Sequence, residues 1–200
     1  MNTPQQNDRF NLQPETLHDL QESLYDWQKY NFGEQDNERV LMGMCEEAGE
    51  LCHAHLKLEQ GIRGTPEELE AEMRDAVGDI MIYMLNYMSG LGHKLALFVP
   101  REDVEKATDQ TLVRKSVLTV YRLVGKIVEE PENVSRIQHL VVSVLYLTAL
   151  KGWDLETIIR ETWSAIGQRN WRDYPETGFP SQEVAQQATP VDAASAPPAG

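Results

Sequence analysis

The chain is short of positive charge. Its 200 residues carry 18 Lys and Arg against 32 Asp and Glu, a net charge of −14. That balance argues against duplex DNA or an anionic membrane as the main partner, though not against nucleotides, whose charge a metal can meet. Cysteine is scarce: Cys45 and Cys52 stand seven apart on one helix face, cannot easily pair there, and read as reduced core residues. No apolar run reaches membrane-spanning length, and the first residues lack the apolar core of a signal peptide. A cytoplasmic setting is therefore expected. A glycine-rich phosphate loop is missing too, since Gly90 and Gly92 form only a helix stop. Glu50-Leu51-Cys52-His53 has no second copy, which a di-iron carboxylate bundle would need. His53 and His55 point about 200° apart on a helix, so they cannot share one metal.

What is present is helical periodicity. Hydrophobic residues make up 41% of the chain, enough to core one domain or a compact duplicated one. Leu17, Leu20, Leu24 and Trp27 predict a helix over about 15–30. Asn37 is positioned to cap a second helix reaching about Leu58. Thr65-Pro66-Glu67-Glu68 opens a third that runs to about Ser89. Val113, Val117, Val120, Val124 and Ile127 share a face over 110–129. Residues 132–150 continue the pattern, although β-propensity allows a strand over Leu140–Leu147. Asp154 caps a closing helix over 153–171. The expected organisation is a loose N-terminus over 1–14 and a helical domain over 15–178. Within that domain lie an acidic hairpin (37–91), a connector (92–109) with a helical turn near Glu102–Ala107, and a second hairpin (110–152). The tail over 180–200 has no core-forming face and reads as disordered.

Two acidic stretches stand where helices should be apolar. Glu47 shares a helical face with Val40, Met44 and Leu51, and Glu50 borders it. Glu72, Asp75, Asp79, Tyr83 and Asn86 form one polar stripe flanked by apolar residues from Leu69 to Met88. Carboxylates on facing buried stripes repel one another and lose hydration, so they need protons, basic partners or a cation. Neither stripe carries Lys or Arg. A hard divalent ion, Mg²⁺ with Mn²⁺ as the alternative, suits oxygen-only ligands and brings phosphates with it.

The Glu-Glu-x-x-Glu helix (Glu46, Glu47, Glu50), followed by a helix with Gly78-Asp79-Ile80-Met81-Ile82-Tyr83, resembles the MazG-like all-α nucleoside triphosphate pyrophosphohydrolases. Trp27–Gly33 and Trp163–Trp171 resemble flanking segments of related members. The resemblance covers residues 16–91 and 153–178. It implies metal ligation by Glu47, Glu50 and Asp79. At the fourth ligand position this chain has Ala76 in place of Glu, and Asp75, four residues before Asp79, is the available substitute. The implied reaction is hydrolysis of a nucleoside triphosphate to the monophosphate and pyrophosphate, with a role in clearing unwanted nucleotides. Glu46 is the candidate to orient or deprotonate water, against a merely solvated carboxylate. Tyr83 matches a base-site position of the family. Asn86, Trp27 and Asn31 are candidates to border the base, with core packing as the plain alternative. Lys57 and the Arg169–Trp171 segment are candidates to meet phosphates, against an ordinary surface lysine and an ordinary helix end. Two rivals are a non-catalytic nucleotide sensor, which Ala76 favours, and a purely structural helical bundle.

The second hairpin aligns with the first. Gly125 falls on Gly49 and Tyr146 on Tyr83, so Arg122 and Lys126 stand where the first half has Glu46 and Glu50. This allows a degenerate repeat, and with it a homodimer or a single chain that is itself pseudo-dimeric. It also raises the expectation that Arg122 or Lys126 reaches across to the phosphates.

Overall fold

The computed structural model describes residues 9–34, 36–94 and 110–180. Every regular element among them is a helix: α1 Leu17–Phe32, α2 Asn37–Gln60, α3 Pro66–Gly90, α4 Gln110–Glu129, α5 Val134–Lys151 and α6 Leu155–Ile166. The protein is an all-α bundle, and Leu140–Leu147 lies inside α5 rather than in a strand. The helical turn expected near Glu102–Ala107 and the tail after residue 180 lie outside the described residues, as do residues 1–8.

Local chemistry sets the helix starts. Thr16 opens α1 with a capping box: its hydroxyl accepts the Asp19 N–H at 3.1 Å, and Asp19 Oδ2 accepts the Thr16 N–H at 3.1 Å. Thr65 and Glu68 do the same for α3, at 3.2 and 2.8 Å, with Pro66 in the first turn. Asp154 caps α6 by accepting the Thr157 N–H at 2.7 Å. At α2 the cap is Asp36 and not Asn37; its carboxylate accepts the Arg39 N–H at 2.9 Å and its charge suits the positive helix end. α2 stops at Gly61, whose φ of 63° is left-handed.

The helices form one continuous core. α2 packs between α3 and α4, while α3 is covered on its other side by α1 and α6. α6 comes close because of Gly78: a Cβ there would lie 2.1 Å from Thr162 Oγ1. Val113, Val117, Val120, Val124 and Ile127 of α4 are all buried. Two ion pairs tie the second hairpin to the first. Arg114 Nε lies 2.8 and 2.9 Å from the two Glu59 oxygens, and Lys151 Nζ donates to Glu70 at 2.6 Å.

Three expectations are corrected. Both cysteines are free, but Cys45 is exposed rather than in the core, and Cys52 is only partly buried against the core's edge. The closing helix ends at Ile166, five residues earlier than expected. After it the chain folds back: the Asn170 N–H donates to the Gly178 carbonyl at 2.7 Å, and the Gly178 N–H to the Tyr174 carbonyl at 2.8 Å. The Asn170 side chain fixes this turn by accepting the Asp173 N–H at 3.1 Å, which competes with helix continuation. Finally, Arg122 and Lys126 are exposed on α4 and line neither cavity described below, so they do not reach across the bundle.

Candidate active site

The acidic stripes of α2 and α3 meet along one edge of the hairpin, and two cavities open there. One, of about 510 Å³, is lined by Glu46, Gly49, Glu50, His53, Glu72 and Asp75. The other, of about 480 Å³, also contains Glu46, adds Glu47 and Asp79, and continues to Tyr83, Asn86 and Trp27. Glu46 thus joins an open acidic bowl to a partly aromatic pocket.

Burial divides the carboxylates. Glu47 and Asp79 are half-buried, whereas Glu46, Glu50, Glu72 and Asp75 are exposed. The expectation that Glu50 and Asp75 sit among apolar neighbours is corrected: the hairpin edge leaves them open to solvent. Burial, then the charges of Asp79, Glu50, Glu46 and Asp75, push the Glu47 carboxyl up to about 8. Burial and Asp75 push Asp79 up to about 6, against a lowering by Arg169. Burial, followed by the nearby carboxylates, also raises the Tyr83 hydroxyl. These groups therefore feel one another across the two helices.

All the donors are carboxylate oxygens, a set that suits a hard divalent cation. As the side chains stand, no three His, Cys, Asp or Glu among the described residues converge closely enough to hold an ion. Repulsion among ionised carboxylates favours splayed rotamers, so gathering them requires a compensating positive charge.

The opposite wall is built from far along the chain. Trp27 Nε1 donates to the Arg169 carbonyl at 2.9 Å, and Asn31 Oδ1 accepts the Trp171 N–H at 2.7 Å. Asn31 is steadied in turn, donating to the Trp27 carbonyl at 2.8 Å. The fold-back after α6 is thereby fastened to α1. The Arg169 guanidinium stacks 5.7 Å from the Trp171 ring, and its charge reaches Asp79. Trp27 packs edge-on to Phe32 and Trp163, so it is both a core residue and pocket wall.

Tyr83 enters the pocket because α2 has no side chain opposite it. A Cβ on Gly43 would lie 2.3 Å from Tyr83 Cε1 and Cζ. Gly43, Gln28 and Arg39 line the pocket yet escaped the sequence reading. Gly43 left a signal, a glycine on the apolar face of α2 one turn before Glu47. Arg39 left only its place in the first turn of α2. Lys57 lines neither cavity; it lies about 10 Å along α2 from Glu50, in the helix's last turn.

Among the described residues no helix is long and apolar enough to cross a membrane. The fold and cavity define an all-α bundle with an acidic cleft between the helices of one hairpin. No family model, no curated protein and no solved structure matches this chain.

Proposed function

We infer that the protein hydrolyses a nucleoside triphosphate to the monophosphate and pyrophosphate, in the manner of the MazG-like enzymes it resembles. The observation that carries this reading is the continuity of the cleft. Mutually repelling carboxylates lie along α2 and α3, aromatic and amide side chains line the same cleft, and Arg169 lines it too, its charge reaching Asp79. Such a cleft suits a ligand with a planar ring, a phosphate chain and an associated divalent cation.

Glu47, Glu50, Asp75 and Asp79 would hold Mg²⁺ or Mn²⁺. When bound, such a cation neutralises charge developing on the phosphates and lowers the pKa of a water. Glu46, at the junction of the two cavities, would be the group to orient a water and take its proton. Arg169 donates to phosphate oxygens, where a planar guanidinium offers paired bonds. Trp27 and Asn31 act indirectly, by fixing the backbone that presents Arg169. Tyr83 offers its ring to the base, and a cytoplasmic nucleotide-clearing role follows from the resemblance.

Pyrophosphate release across standard and modified nucleoside triphosphates, with and without chelator, tests this reading. Turnover should require Mg²⁺ or Mn²⁺. If every triphosphate stays intact with metal present, the enzyme reading fails. A non-catalytic nucleotide sensor is the second reading, favoured by Ala76. That residue lies on the buried face of α3, at the position where the family places a ligand, and Asp75 beside it is exposed. Calorimetry with Mg²⁺ and a non-hydrolysable triphosphate would then show binding without turnover. No binding at all would leave a structural bundle.

A further inference from the structure

Asn86 sits on α3 two turns beyond Asp79 and on the same face. Its residue is 6% exposed, and its Oδ1 is a buried acceptor with no hydrogen-bond partner. An unpaired buried amide oxygen destabilises a fold, and leucine at this position would remove that penalty. Asn86 also lines the aromatic pocket, so its unused acceptor, closed to solvent as the side chain stands, lies behind a wall that a ligand can touch. A second amide lines the same pocket: Gln28 of α1 is likewise 6% exposed. The aromatic residues Tyr83 and Trp171 line the same pocket.

We propose that Asn86, assisted by Gln28, reads the hydrogen-bonding edge of a nucleobase, and that the ligands accepted are those whose edge presents an N–H beside an acceptor. This rests on reading the cleft as a nucleotide site. An amide carries an acceptor and a donor side by side, so it pairs with the complementary arrangement. Uracil offers a ring N–H beside a carbonyl, cytosine an exocyclic amine beside a ring nitrogen, and adenine and guanine have equivalents. Asn86 lies about 10 Å along the helix from Asp79, so one ligand spanning both must be longer than a base alone. Discrimination arises because a base that blocks or lacks the N–H leaves Oδ1 unpaired in the complex as well. Sites that hydrogen-bond a ligand reject analogues lacking the group far more strongly than apolar sites reject a missing methylene.

The test uses free nucleosides and metal-free protein, so it depends on neither phosphate binding nor hydrolysis. Uridine, cytidine, adenosine and guanosine are titrated beside analogues methylated on the edge N–H: N3-methyluridine, N4,N4-dimethylcytidine, N6,N6-dimethyladenosine and N1-methylguanosine. At least one parent nucleoside should bind. Its methylated analogue should bind roughly 5- to 100-fold more weakly, the scale of one lost hydrogen bond with its partner left buried. Which pair shows the gap identifies the base. Asn86→Leu should weaken the parent to the level of the analogue and leave the analogue unchanged. The proposal is overturned if no nucleoside binds at millimolar concentration, if parent and analogue bind alike, or if Asn86→Leu keeps the wild-type preference. The analogue arm needs only the wild-type chain, so a variant that fails to fold does not spoil it. Pyrophosphate release, measured on the same preparation, tests hydrolysis separately: analogue discrimination without turnover would retain the base reading and discard the enzyme.

Discussion

The two hairpins of this bundle share a plan and differ in what they enclose. In α2–α3, acidic residues far outnumber basic ones; in α4–α5, Lys and Arg outnumber Glu, and Asp is absent. If Gly125 is aligned with Gly49 and Tyr146 with Tyr83, the positions of Glu46, Glu50, Asp75 and Asp79 fall on Arg122, Lys126, Gln138 and Val142, every one exposed. Tyr83 turns inward against Gly43. Its counterpart Tyr146 is 44% exposed, and Thr119 occupies the position that matches Gly43. The difference lies in what covers each hairpin. α1, α6 and the fold-back after α6 wall in the first, whereas α5 packs chiefly on α4. A helical hairpin is thus scaffolding, and a cleft arises where side-chain chemistry and a third wall coincide.

The largest test of that contrast is catalytic. Glu50→Ala, Asp75→Ala and Asp79→Ala should each lower pyrophosphate release by roughly 10²-fold or more, while Arg122→Ala and Lys126→Ala leave it within about 2-fold. A strong loss in either α4 variant would mean that the second hairpin takes part. Full activity in Asp75→Ala would mean that a water or Glu72 fills the ligand position that Ala76 leaves without a carboxylate.

The next effect belongs to the wall that only the first hairpin has. Arg169→Met should weaken binding of a non-hydrolysable triphosphate by about 1.5–3 kcal/mol, the worth of a charged hydrogen bond, with little change in thermal stability. Calorimetry beside a melting curve separates the two readouts.

A third test is pH. Glu47 titrates near 8 and Asp79 near 6 in the folded chain, against 4.5 and 3.8 when unperturbed. Between those limits the folded state holds more protons than the unfolded one. Stability of the metal-free protein should therefore be greatest below about pH 4 as far as these two groups decide it, and fall as pH rises toward 8. Melting curves in chelator should show this, and Glu47→Gln should flatten the upper part of the slope. Added Mg²⁺ should raise the midpoint most at the alkaline end. A midpoint that climbs steadily from pH 5 to 8 in chelator would contradict the shifts.

The smallest contrast sets two glycines side by side. Gly43→Ala drives a methyl into the Tyr83 ring and should cost about 1–3 kcal/mol. Gly125→Ala, in α4 with nothing within 4 Å, should stabilise by about 0.5–1 kcal/mol through helix propensity. Denaturant midpoints measure both. Equal effects would show that Tyr83 is free to leave its place.

Much of the bundle was legible because helix periodicity and capping are local. Thr65-Pro66-Glu67-Glu68 starts a helix whatever surrounds it, and the valines of α4 mark its buried face. Asp36 outcompeting Asn37 was not legible, since both are good caps and they are adjacent in the chain. The acidic pair of stripes was visible in the register. The depth of each carboxylate was not, because burial depends on which helices lie over the edge. Glu50, at the border of the apolar face, and Asp75, on the polar stripe, both have apolar neighbours along the chain and turn out exposed. The fold-back after Ile166 depends on Asn31 and Trp27, about 140 residues away, and no local pattern announces such a contact.

That last contact sets an order on synthesis. A ribosome that has translated through α5 has already released every carboxylate of the cleft, along with Tyr83 and Asn86. Arg169 and the backbone that Trp27 and Asn31 grip emerge only afterwards. A nascent chain therefore carries the acidic half of the site while the wall bearing Arg169 is still missing. The cleft closes when one of the last described segments reaches back to one of the first, so a message truncated ahead of the Gly167 codon would encode a bundle with an open trough in place of a pocket.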